Sequence, residues 1–115
     1  FLNTNKSYLE SILLNLLTNA IKYKSESRKL KINIAAHQLD EDRVILIFKD
    51  NGIGIDLEKN KDKIFGLYQR FHDYPDSKGL GLYLVKSQVE TMGGTISIES
   101  KVNVGTTFTL TFKNK

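Results

Sequence analysis

Apolar residues recur at helical spacing in two segments of the chain, and each recurrence predicts an amphipathic helix. The first helix is predicted from about Lys6 to Lys24, with a core face formed by Leu9, Leu13, Leu16, Leu17 and Ala20. Another helix is predicted to open at Gly79-Leu80-Gly81 and to end at the C-cap Gly93-Gly94, with Leu82, Val85, Val89 and Met92 facing inward. A further helix is expected between these two, from near Asp56 towards Phe71.

Strand signals occur in two pairs. The first pair is predicted at about Leu30 to Gln38 and Arg43 to Lys49, joined by a turn of three acidic residues. The run from Val44 to Phe48 is apolar on both faces, which is typical of a central, covered strand. The second pair, about Thr95 to Ser100 and Thr107 to Lys113, alternates apolar and polar residues and places on one face Ile96, Ile98, Phe108, Leu110 and Phe112. The elements together predict an α/β two-layer sandwich, with helices on one face of a mixed, mostly antiparallel sheet.

Composition narrows the class of protein. A chain of 115 residues, 40% of them hydrophobic, predicts one globular domain over residues 1–115 that needs no disulfide or metal to fold. The lack of cysteine excludes disulfides, thiolate metal sites and cysteine nucleophiles. No apolar run approaches the ~18 residues of a membrane span. A cytoplasmic domain is expected, and the lack of cysteine is consistent with that. The first residue is Phe1, which suggests a fragment of a longer chain.

The net charge of +4 suits a polyanionic partner such as a nucleotide triphosphate. The charged residues crowded between positions 22 and 31 are interpreted as a solvated surface, and no nucleic-acid partner is expected.

A polar stripe borders the apolar face of the first helix. Asn15, Asn19 and Lys22 lie within roughly 60° of each other around the helix axis, with Tyr23 beside them. Asparagine carbonyl oxygens are hard ligands that suit Mg²⁺, and a lysine one turn on can hold a phosphate. Two solvent-facing or capping amides would explain the same stripe, and the helix alone favours that simpler interpretation.

Two glycine-rich segments are the other candidate binding elements. Asp50 ends the apolar strand and is followed by Asn51-Gly52-Ile53-Gly54. A buried carboxylate there would need a hydrogen-bond donor such as the exocyclic amine of adenine, whereas a surface aspartate in a β-turn would need none. Lys78-Gly79-Leu80-Gly81 opens a helix, where backbone N–H groups can bind an anion.

In order along the chain, these segments resemble the boxes of the catalytic, ATP-binding domain of sensor histidine kinases, a family with the Bergerat fold that is related to gyrase and MutL. The segment from Asn15 to Tyr23 resembles the N box, and the segment from Asp50 to Asp56 resembles the G1 box. The segment from Ile64 to Phe71 resembles the F box, and that from Lys78 to Val85 resembles the G2 box. Gly105-Thr106-Thr107-Phe108 matches the closing hairpin.

The resemblance implies a role for each matching position. Mg²⁺ and phosphate would be handled by Asn19 and Asn15, and phosphate also by Lys22, Arg70 and Lys78. Asp50 would accept from the adenine amine, and Thr107 would support it through water. The remaining nucleotide contacts implied are Tyr23, Gly52, Gly54, Ile55, Gly79, Leu80, Gly81 and Leu82. Ser77 departs from the glycine that usually opens the G2 box, and a serine restricts the backbone at this end of the ATP lid, roughly His72 to Lys78.

The resemblance also implies a reaction and its partners. The γ-phosphoryl group would go to a histidine on a separate dimerising helical domain, and then onward to a response regulator. His37 and His72 are interpreted as bystanders. The fragment would be a monomer and the full-length protein a homodimer, which a membrane could anchor. A nucleotide-gated switch or a serine-directed kinase of the same superfamily are the alternatives. Asn15, in place of a water-activating glutamate, favours phosphoryl transfer over hydrolysis.

Overall fold

The computed structural model describes residues 6–56, residue 58 and residues 80–113. Two helices occur in these ranges, α1 (Lys6–Lys22) and α2 (Leu80–Thr91). The expected helix from near Asp56 towards Phe71 and the lid segment lie outside the described residues, apart from Asp56 and Glu58. No helix within the described ranges is long and apolar enough to span a bilayer.

Four strands form one sheet in the order β1-β2-β4-β3. They are β1 (Ile32–Gln38), β2 (Arg43–Asp50), β3 (Thr95–Lys101) and β4 (Gly105–Lys113). All three pairings are antiparallel, so the parallel component of the expected mixed sheet is not found among the described strands. The central position expected for the apolar strand is confirmed, because β2 lies between β1 and β4.

The core lies between the helices and one face of the sheet. Alternate residues of β2 and β4 supply it, as their period of two requires, and Phe48, Leu110 and Phe112 are fully buried. From α1, Ile12 and Leu16 are fully buried, whereas the predicted core residues Leu9, Leu13 and Leu17 are only partly buried at its edge. Three inward positions predicted for α2, Leu82, Val85 and Val89, are buried, and Met92 packs beside them.

Hydrogen bonds close the end of α2 and the turn between β1 and β2 at the positions that the sequence predicts. At the end of α2, Gly93 adopts a φ of 75°, and its N–H and that of Gly94 donate to Glu90 and Val89 carbonyls respectively. This is a Schellman motif. Between β1 and β2, Asp40 accepts hydrogen bonds at 2.9 Å from the backbone N–H groups of Asp42 and Arg43, which closes the turn.

These elements meet at the carboxyl end of β2. Asp50 is paired with Thr106, the second residue of β4, and Ile32, the first residue of β1. The segment that follows Asp50 therefore lies between the sheet, the end of α1 and the start of α2. That junction forms the candidate site.

Candidate functional site

A small cleft lies at this junction. Most of its wall is apolar or aromatic, and its polar side chains are one amide, one carboxylate, one aliphatic hydroxyl and the phenol of a tyrosine. This composition is typical of a site for a small organic ligand. The lining residues are Asn19, Tyr23, Asp50, Gly54, Ile55, Leu82, Thr106 and Phe108.

Asp50 is the carboxylate of the cleft, and it is 9% exposed. Burial raises the pKa of Asp50 above its ordinary value, because the charged form has lost water. Hydrogen bonds from the backbone N–H groups of Gly52 and Thr106 oppose part of that rise. The Gly52 N–H lies 2.8 Å from Oδ1. A carboxylate has about four acceptor positions, so Asp50 can accept a further donor from the cleft.

Two glycines after Asp50 are required by close backbone contacts within the protein. A Cβ on Gly52 would lie 2.6 Å from the Tyr23 carbonyl oxygen. Gly54 has a φ of 77°, and a Cβ there would lie 2.1 Å from the Lys101 carbonyl oxygen. The resemblance implied that these glycines let the backbone approach the adenine closely. Their packing gives an additional reason, because the turn is held against α1 and the β3–β4 connection.

A network of hydroxyl groups connects Ile55, which lines the cleft, to the first residues of β4. Ser100 accepts a hydrogen bond from the Ile55 N–H at 2.7 Å, and its Oγ lies 2.8 Å from the Thr106 hydroxyl. Ser100 also donates to the Gly105 carbonyl at 3.0 Å. These hydrogen bonds therefore fix the position of the apolar residue Ile55 relative to the polar residue Thr106 in the lining of the cleft.

The polar stripe of α1 is only partly brought to the cleft. Asn19 lines it, and the Nδ2 of Asn19 is buried without a hydrogen-bond partner in the structure. Such a buried donor is costly, so it indicates a position where a ligand oxygen fits. Tyr23 also lines the cleft. Asn15 is half-buried one turn before Asn19, and Lys22 is exposed in the last turn of the helix; neither lines the cleft.

The structure brings Thr106 rather than Thr107 to the cleft. The resemblance implied Thr107 for the adenine network, and Thr107 lies on the other face of the sheet, in an open groove that also includes Lys49, Glu99 and Asp50. Thr106 lines the cleft instead. The sequence could have indicated Thr106, because alternate residues of a strand face the same side and Phe108 was expected to face the core.

The beginning of α2 borders the cleft through Leu82, in the first turn of that helix. Leu80 and Gly81 are the first two residues of the helix. Three further residues of the expected site, Arg70, Lys78 and Gly79, lie outside the described residues. The sequence analysis placed Phe108 in the core and not in the site, although it lines the cleft, and it gave no site role to Arg28, which contacts the turn after Asp50.

Comparison with known proteins identifies the family. Residues 4–115 match the model of the histidine kinase-, DNA gyrase B- and HSP90-like ATPases. The chain belongs to this family. The resemblance to sensor histidine kinases is therefore confirmed, and family membership supports the use of ATP.

Similar proteins are sensor kinases. The heme sensor protein HssS of Staphylococcus saprophyticus is 33% identical over 112 residues, which cover 97% of this chain and 24% of HssS. The histidine protein kinase SaeS of Staphylococcus aureus is 36% identical over 107 residues, which cover 90% of this chain and 30% of SaeS. The chain thus spans about a quarter to a third of the length of these relatives.

Solved structures agree on the fold. The mycobacterial sensor histidine kinase MprB superposes with a TM-score of 0.82 at 25% identity, over 99% of this chain and 77% of that one. The catalytic domain of histidine kinase ThkA gives 0.78 at 26% identity, over 96% and 70%. Full-length ShkA in complex with AMPPNP gives 0.75 at 26% identity, over 94% and 22%. The predicted two-layer architecture is confirmed.

Proposed function

We propose that the cleft binds ATP with the adenine amine donating to the Asp50 carboxylate. The observation that carries the proposal is a buried carboxylate among apolar walls, which can accept a donor beyond the backbone N–H groups that already reach it. The flat purine would lie between Ile55, Leu82 and Phe108, and Thr106, which is paired with Asp50 and lines the same cleft, would offer its hydroxyl to the nucleotide.

The phosphates would extend towards α1. The unpartnered amide nitrogen of Asn19 is a donor, and a phosphate oxygen is the acceptor that it lacks. Lys22, one turn further on, would contribute positive charge, and the start of α2, with Gly81, would offer backbone N–H groups. Arg70, Lys78 and Gly79 keep the phosphate roles that the resemblance implies.

The residues present also fit a magnesium ion. Within the described parts of the chain, no group of three or more histidine and acidic side chains could hold a metal. Mg²⁺ is commonly held by few protein oxygens together with phosphate oxygens and water, and the amide oxygens of Asn19 and Asn15 would be those protein ligands while Asn19 Nδ2 donates to phosphate. Bound Mg²⁺ would neutralise negative charge on the phosphates.

The Asn19→Ala variant tests this assignment. We expect it to lose the tightening of ATP binding that Mg²⁺ causes, because an amide oxygen that would complete the ion's coordination is gone. Calorimetric titrations with Mg²⁺ and with a chelator measure the effect. Asn33→Ala, on the exposed edge strand β1, is the matched control. Equal metal-dependent shifts in parent and Asn19→Ala would remove the ligand role.

The proposed reaction is transfer of the γ-phosphoryl group to a histidine on a separate helical domain. The bond from the γ-phosphorus to the bridging oxygen breaks, a bond to an imidazole nitrogen forms, and ADP leaves. His37 does not fit as the acceptor. It lies five residues along β1 from the partner of Asp50, about 17 Å away, and on the face opposite the helices.

Transfer is favoured over hydrolysis by the described residues of the cleft. Asp50 is the only carboxylate among those that line it, and two backbone donors already bind it. In the N-box resemblance, Asn15 occupies the position at which ATP-hydrolysing relatives carry a water-activating glutamate, and an amide cannot act as a general base. In the full-length protein, the same helical domain would form a homodimer, and a response regulator would receive the phosphoryl group.

Incubation of the chain with γ-labelled ATP and a separately supplied histidine-bearing hairpin tests the function. We expect label on the hairpin that is lost in acid and retained in base, as a phosphoramidate requires. Acid-stable label would favour the serine-directed alternative. ATP binding without any transfer to the hairpin would favour the conformational switch.

A further inference from the structure

Arg28 binds the turn that follows Asp50 from outside the cleft. Its Nε donates to the Asn51 carbonyl oxygen at 2.8 Å, and its Nη2 donates to the Gly52 carbonyl oxygen at 2.7 Å. The guanidinium is half-buried, and it joins segments more than twenty residues apart. A planar guanidinium suits two neighbouring acceptors, because its donors diverge in a fixed fork.

Other hydrogen bonds fix the segment that carries Arg28 to the same turn. The Asn51 side chain accepts from the Lys31 N–H at 2.8 Å and donates to the Lys29 carbonyl at 2.9 Å. The Ile53 N–H donates to the Tyr23 carbonyl at 2.9 Å. Residues 23–31 and 51–53 therefore form one hydrogen-bonded unit, in which Arg28 supplies the charged donor.

The contact reaches Asp50 through a single rigid peptide group. The Asn51 carbonyl that accepts from Arg28 and the Gly52 N–H that donates to Asp50 Oδ1 belong to the same planar peptide. Holding the carbonyl fixes the direction of the N–H, and a cation on the carbonyl oxygen polarises the N–H into a stronger donor.

We infer that Arg28 is a positioning residue for adenine recognition, which orients the Asp50 carboxylate through the peptide between Asn51 and Gly52 without touching the nucleotide. The inference rests on the proposed function, since it concerns the same cleft. It differs from a general attraction between a basic chain and an anionic ligand, because it needs the two-donor fork of arginine and acts on the purine end of ATP.

The experiment compares Arg28→Gln and Arg28→Lys with the parent chain. Binding of ATP and of inosine triphosphate is measured by calorimetry. Inosine triphosphate carries an oxygen in place of the amine, so the ratio of the two dissociation constants reports recognition at Asp50. Arg43→Gln is the matched control. It removes an equal charge from an exposed ion pair at the other end of β2, about 24 Å from Asp50.

We expect both Arg28 variants to bind ATP about tenfold more weakly and to lose most of the preference for ATP over inosine triphosphate. Arg43→Gln should match the parent within about twofold. Partial unfolding would lower the binding stoichiometry and leave the ratio unchanged, so the ratio separates positioning from a loss of stability.

Parent-like binding by Arg28→Lys would overturn the inference, because charge alone would then suffice. An unchanged ratio in both variants would overturn it as well. A parent chain that does not bind ATP would refute the proposed function itself, which is a different result from a parent that binds and variants that bind equally.

Discussion

Asp50→Asn is the change that bears most directly on the proposed recognition of adenine. The substitution conserves shape, removes the charge and replaces one acceptor oxygen by a donor. Because the Gly52 N–H needs an acceptor 2.8 Å away, the amide oxygen would stay with it and the amide nitrogen would take the other position. A nitrogen that reaches the cleft there would meet the adenine amine donor to donor.

The size of the effect follows from the contact that is lost. A hydrogen bond to a charged group contributes about 1.5–3 kcal/mol, which corresponds to roughly a tenfold to 150-fold weaker affinity for ATP. Inosine triphosphate should lose much less, because its oxygen can accept from the new amide. The variant should therefore reverse the order of preference between the two nucleotides.

Calorimetric titration of both nucleotides into parent and variant measures this, and thermal unfolding checks that the variant is folded. Asp42→Asn, exposed in the β1–β2 turn, is the matched control for the change in charge. ATP affinity within twofold of the parent, together with an unchanged order of preference, would refute the role of Asp50.

Three further predictions concern pH, the choice of threonine and a glycine. Because the pKa of Asp50 is raised in the folded state, the folded chain keeps its proton to higher pH than the unfolded chain. The parent's free energy of unfolding should therefore contain a component that decreases as pH rises from below 3.8 through the raised pKa. Asp50→Asn lacks this component, and parallel stability profiles in urea unfolding would contradict the shift. Thr106→Val should weaken ATP binding between about two- and tenfold, whereas Thr107→Val on the other face should leave it unchanged; equal effects would contradict the assignment of faces. Gly54→Ala should lower the free energy of unfolding by about 2 kcal/mol or more, because φ is 77° and the new Cβ would overlap the Lys101 carbonyl; a loss below about 0.5 kcal/mol in urea unfolding would contradict this.

The elements with strong periodicity were predictable from the sequence. α1 ends two residues before the predicted Lys24, and β2 differs from its prediction by one residue. Side-chain periodicity decides these elements, and it is a local property of the chain. The choice of Asp50 as a buried carboxylate was also within reach, because an acidic residue directly after an apolar strand must lie at the edge of the core.

The rest of the site depends on contacts between distant segments. Nothing local to Arg28 indicates that its guanidinium meets the Asn51 and Gly52 carbonyls, because the loop that carries it reads as a charged surface. The strand order was not predicted for the same reason. β1 is an edge strand whose side chains beyond Ile32 are exposed, and a pattern of strand residues does not state which neighbours a strand has.

A crystal structure of the chain with Mg²⁺ and a non-hydrolysable ATP analogue tests the central claim most directly. The account predicts the adenine amine within hydrogen-bond distance of the Asp50 carboxylate, the purine between Ile55 and Leu82, and phosphate oxygens near Asn19. A purine bound outside this cleft, or inside it with the amine turned away from Asp50, would contradict the account.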